Sequence, residues 1–135
     1  MSTNIVNRRN ASDALLTVTK ALPAAGAAAT SDAIEIGGKG PHREGTKLRV
    51  SWPVNSVLVA TKTLIITLQS SATSTLADAT DPGSTYTITG DTGFAAGYVD
   101  FELGQNVAAF TGFKAAVEAA GGSNIATILT GEIIK

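Results

Sequence analysis

The chain has 135 residues, of which 44% are hydrophobic and only 16% charged, with a formal net charge of -1 and no cysteine. That length predicts one domain, able to bury ~68% of the surface its unfolded chain exposes. The near-neutral balance gives no electrostatic basis for binding nucleic acid or an acidic membrane, and the missing thiols exclude disulfides, thiolate catalysis and zinc–thiolate sites.

Residues 1–11, MSTNIVNRRNA, read as a flexible polar N-terminal arm, and residues 12–135 as a single β domain. The apolar run after the arm is broken by Lys20 and Pro23, so it makes a poor signal peptide, and no stretch reaches the ~20 apolar residues of a membrane span. The expectation is a soluble protein made and used without export.

Short apolar stretches then follow one another between turn residues. ALLTVTK (14–20) puts Leu16 and Val18 on one face, and SDAIEIGG (31–38) puts Ile34 and Ile36 together. KLRVSWPV (47–54) alternates, with Leu48, Val50 and Trp52 inward and Lys47, Arg49 and Ser51 outward. TLIITLQSS (63–71) turns Leu64, Ile66 and Leu68 to one side and Ile65, Thr67 and Gln69 to the other, the second side meeting solvent or a neighbouring copy. STYTITG (84–90), YVDFEL (98–103), FTGFKAAVEAA (110–120) and NIATILTGEIIK (124–135) complete the set. Stretches with a period of two, separated by Gly, Pro, Asp and Ser, predict an antiparallel β-sandwich or jelly roll of about eight strands.

Two segments read less simply. Residues 105–120 fit a helix, with Val107, Phe110, Phe113 and Val117 on one side and Gly121 as its cap. The alternation of Phe113, Ala115, Val117 and Ala119 with Lys114, Ala116 and Glu118 favours a strand, and Gly112 would sit mid-helix. KALPAAGAAATS (20–31) is short of polar groups for a loop, and reads either as an extended segment lying across a neighbour's surface or as a surface link or single helical turn.

Catalytic residues are scarce. The single histidine, His42, lies in GGKGPHREGTK with Glu44 close by, and His-x-Glu without a pocket is weak support for a general base. That loop lacks the Gly-Lys-Ser/Thr ending and following helix of a phosphate loop. Asp78, Asp81 and Asp91 supply oxygen ligands for calcium, but at the spacing of no calcium loop, and Asp81-Pro82-Gly83 is turn chemistry. Any two acids could make a glycosidase pair, so that pattern predicts nothing here. Trp52 could stack on a sugar, but its parity with Leu48 and Val50 assigns it to the core. The reading is therefore not an enzyme, with no cofactor, and with function in its surface.

In order and spacing, SDAIEIGG, KLRVSWPV, TLIITLQSSATS, a polar loop, YTITG and GGSNIATILTGEII together resemble the jelly-roll capsid cement (decoration) proteins of tailed bacteriophages, across residues 12 to 135. The family's long aromatic run before the last hairpin is thinned here to Phe110 and Phe113. The resemblance implies a structural virion protein on the capsid exterior, assembled in the host cytoplasm, with the major capsid protein and further copies of itself, as a homotrimer, for partners. A carbohydrate-binding β-sandwich module is the alternative. Arg8 and Arg9 read as either a solvated tail or a clamp onto an acidic partner, and the arm that carries them is too polar for its own core. The strip from Leu22, Pro23, Ala24 and Ala25 to Ala29 is too apolar for water, so both are expected to contact neighbouring subunits.

Overall fold

The computed structural model describes residues 17–35, 47–71, 76, 84–103 and 110–134. Among these residues there is no helix, and the strands are β1 (Thr17–Ala21), β2 (Ala28–Thr30), β3 (Ile34–Glu35), β4 (Lys47–Trp52), β5 (Thr63–Ser71), β6 (Thr85–Thr89), β7 (Gly97–Glu102), β8 (Phe110–Val117) and β9 (Ile128–Ile134). One sheet has the order β1-β9-β4-β7. The other runs β2-β8-β5-β6, with β3 continuing beside β8 on the β2 edge. Because β2 and β3 pair with successive parts of β8, they form one interrupted edge strand, and the two sheets hold four strand positions each. Every pairing is antiparallel. Counting β2 and β3 as one, successive strands alternate between the sheets except for the β5–β6 hairpin, which is the connectivity of a jelly roll.

Period-two patterning sets the register. Leu48, Val50 and Trp52 of β4 face Leu64, Ile66 and Leu68 of β5 across the sandwich, all of them buried, with Ile88, Phe101, Phe113, Val117 and Leu129 around them. A one-residue slip in any of these strands would turn its apolar set to water, so burial itself fixes the pairing. Residues 110–117 are a strand, with Gly112 lying opposite Gln69 of β5.

Three details differ from the sequence reading. The stretch 20–31 supplies a strand of its own chain: Ala28, Ala29 and Thr30 pair with Ala116, Ala115 and Lys114 of β8. The final strand starts at Ile128, after a turn in which the Thr127 amide donates to the Asn124 carbonyl. The second face of β5 is only partly open, for Ile65 is 38% exposed but Thr67 and Gln69 are buried. For Gln69 the physical reason lies at Gly112, its partner on β8, where an added Cβ would fall 2.5 Å from Leu76 and 2.6 Å from the Ser31 hydroxyl. Leu76, after β5, therefore packs onto the outer face of that sheet, and the bare backbone of glycine makes room for it.

Trp52 closes the β6/β7 side of the sandwich. Its ring stacks on Tyr86 of β6 with centroids 5.8 Å apart, lies over Gly97 of β7, and donates from Nε1 to the Ala95 carbonyl at 3.0 Å. It is a core residue with its one polar atom satisfied, as its parity predicts.

Candidate functional site

Four connections meet at one end of the sandwich: β1–β2 (residues 22–27), β4–β5 (53–62), β6–β7 (90–96) and β8–β9 (118–127). Backbone hydrogen bonds tie each to the next. The Leu22 amide donates to Thr127, joining the first connection to the last, and the Gly26 amide donates to Val117 at the end of β8. The Val59 amide donates to Gly121, joining the last to the second. Asn55 and Phe94 exchange a pair of bonds and the Gly93 amide donates to Leu58, joining the second to the third.

Beneath this surface lies a buried polar floor. The Asn55 side-chain amide donates to Asn124 Oδ1 at 3.0 Å and to Thr127 Oγ1 at 2.7 Å, while Asn55 Oδ1 accepts from the amides of Val57 and Leu58. Asn124 in turn donates to the carbonyls of Gly121 and Gly122. A network satisfied at every member stiffens the loops it joins. The backbone above it is held in unusual conformations, with positive φ at Thr61 (69°), Thr92 (55°) and Ala120 (67°), one in each of three connections. For β-branched threonine that region is strained, at roughly 1–2 kcal/mol per residue, and persists only where its surroundings enforce it.

The groups this frame presents are small and apolar. Val54 is 72% exposed and Ile125 59%, with Val57, Val59 and Ile128 also open to water. Ala24, Ala25, Ala60, Ala119 and Ala120 are exposed beside them. The four connections carry only Lys62, Asp91 and Glu118 as charged residues, and Lys62 lies 3.8 Å from Glu118. Between the second and third connections an open cleft of about 570 Å³ is lined by Val54, Asn55, Ser56, Asp91, Thr92 and Phe94 among others.

The expected contact residues divide. Pro23 is half-buried and Ala24 and Ala25 lie exposed on this end, whereas Leu22 is 2% exposed and belongs to its own core. Leu22 follows directly on β1 and keeps a sheet-like bond to Thr127, which points its side chain inward. Arg8, Arg9, His42, Glu44, Asp78 and Asp81 lie outside the described residues. Asp91 is exposed in the third connection, and among the described residues no three His, Cys, Asp or Glu stand together as a metal-binding group. The sequence reading missed Val54, Val57, Val59 and Ile125. The signal for the three valines was PVNSVLVA (53–60), an apolar stretch with no strand of its own; Ile125 stands in the turn before β9 that the sequence reading counts as strand.

The open face of the β1-β9-β4-β7 sheet differs in kind. Arg49 makes a forked pair of bonds to Asp100, at 2.8 and 3.1 Å, and its guanidinium lies 4.1 Å from the centre of the Tyr98 ring. The hydrogen bond from Arg49 holds the Asp100 carboxyl below its usual range, and Asp100 raises the guanidinium. Tyr98 and Tyr86, the exposed tyrosines, sit on different sheets, each already stacked on a neighbour.

Fold and site together define a jelly-roll protein whose built surface is a stiff, apolar, four-loop end. A scan against protein-family models and a search of curated proteins each found no match to this chain.

Proposed function

We propose that this protein is a structural virion protein that attaches to the outer surface of an assembled phage capsid and stabilises it by bridging major capsid protein subunits, in trimers about threefold positions. The observation that carries the reading is the four-loop end. Val54, Val57, Val59 and Ile125 stand exposed on loops fastened from below, which suits adhesion to a preformed surface better than it suits chemistry. Loops already ordered lose little entropy on docking, so even a small apolar contact yields net affinity. Many copies on one shell multiply a weak contact through multivalency, and a contact with so few charges tolerates salt. The sequence resemblance to phage cement proteins supports the same reading. Its test is co-sedimentation with shells assembled from the cognate major capsid protein without this chain. The expected result is saturable binding to shells and none to the unassembled subunit.

A further inference from the structure

Among the described residues the sandwich has four sheet edges, and three of them carry features that discourage pairing with another chain. The β1 edge bears Lys20, the β7 edge bears Asp100 and Glu102, and the β2/β3 edge consists of three- and two-residue pieces parted at residues 31–33. Charges and short or broken edges are the usual guards against edge-to-edge association. The β6 edge has none of these. Its sequence, Thr-Tyr-Thr-Ile-Thr, is unbroken, uncharged and rich in strand-forming residues, and every residue of it but Ile88 is exposed.

The bonding pattern shows which groups that edge offers. The Leu68 amide donates to Ser84 and the Gly90 amide to Lys62, so residues 84, 86, 88 and 90 are the ones that bond to β5. Alternation in an antiparallel ladder then turns the amides and carbonyls of Thr85, Thr87 and Thr89 away from β5, toward the open edge. Those three residues are self-complementary. A second β6 laid antiparallel with Thr87 on the twofold axis sets Thr87 against Thr87 and Thr85 against Thr89, and each of these pairs exchanges two backbone bonds. The same register puts Tyr86 opposite Ile88, an aromatic against a β-branched residue, and lines threonines along the other face, both favourable cross-strand pairings.

From this edge we infer that two copies of the chain associate through β6, joining their β2-β8-β5-β6 sheets into one continuous sheet. The inference rests on the edge alone and stands whether or not the protein binds a shell; on a shell with threefold clusters, the contact links copies from neighbouring clusters. Since the chain has no cysteine, single introduced thiols report the register directly. Under mild oxidation of the full-length protein, Thr87→Cys should form a two-chain disulfide roughly tenfold or more faster than Thr85→Cys, because the contact holds only the former pair at millimolar effective concentration. Mixing Thr85→Cys with Thr89→Cys should restore rapid cross-linking. Independently, hydrogen exchange at the Thr85, Thr87 and Thr89 amides should slow as protein concentration rises, and Thr87→Lys should abolish that slowing by opposing two ammonium groups on the axis. Equal cross-linking of Thr85→Cys and Thr87→Cys, or exchange independent of concentration, would overturn the inference.

Discussion

Asn55 and Asn124, 69 residues apart in sequence, share a 3.0 Å hydrogen bond in the buried floor of the four-loop end. That bond joins the β4–β5 and β8–β9 connections, and Asn55 alone takes part in four of the hydrogen bonds there. Asn55→Ala leaves the Asn124 carbonyl, the Thr127 hydroxyl and two amides to find new partners. The expected loss is about 3 kcal/mol in urea denaturation, with the strands intact by circular dichroism. A loss within experimental error would show that the floor is not what fastens the loops.

Trp52, 8% exposed, should emit in the blue and resist quenching by iodide. Trp52→Ala should cost ~3–5 kcal/mol as a large-to-small core change. Trp52→Phe should cost less, since an aromatic ring remains to pack beside Tyr86, while the bond to the Ala95 carbonyl and part of the contact over Gly97 are lost. Red-shifted, easily quenched emission would contradict the burial.

The Arg49–Asp100 pair predicts a pH signature. The folded state depresses the Asp100 carboxyl below its ordinary value of 3.8, chiefly through the hydrogen bond from Arg49, so the pair stabilises the protein above that value. The contribution is lost as the pH falls through the depressed folded value. Asp100→Asn should therefore be less stable than the parent at neutral pH and lose less stability on acidification. High salt should shrink the difference, because the pair lies on the open face of the sheet. Parallel acid profiles of the two proteins would count against the assignment.

Deleting residues 2–11 tests the arm. Arg8 and Arg9 can each hold a carboxylate through a forked pair of bonds. The truncated chain should fold normally yet bind shells more weakly, and the deficit should narrow as salt rises. Equal occupancy of full-length and truncated protein across a dilution series would remove the arm from the mechanism.

Much of the fold was legible because alternation is a local signal. Leu48, Val50 and Trp52, or Leu64, Ile66 and Leu68, declare their buried face from spacing alone. The strand Ala28–Thr30 did not, since alanine carries no preference between faces. Nor did the burial of Gln69, whose partner on β8 is Gly112, where Leu76 packs. Leu22 was read as surface because its neighbours are alanines and a proline; its place was decided by the end of β1. The polar floor could not be read at all, for Asn55, Asn124 and Thr127 meet only after the sandwich has closed.

The central claim is that the four-loop end is the adhesive surface, and the most direct measurement compares the parent protein with Val57→Asp/Val59→Asp in co-sedimentation with undecorated shells. Both valines are exposed, so the exchange should leave the sandwich folded and its thermal midpoint nearly unchanged. Placing carboxylates in an apolar contact should weaken binding at least about tenfold, equivalent to ~1.4 kcal/mol. Unlike the arm's deficit, this one should persist in high salt. Binding curves that superimpose for the parent and the double variant would contradict the account.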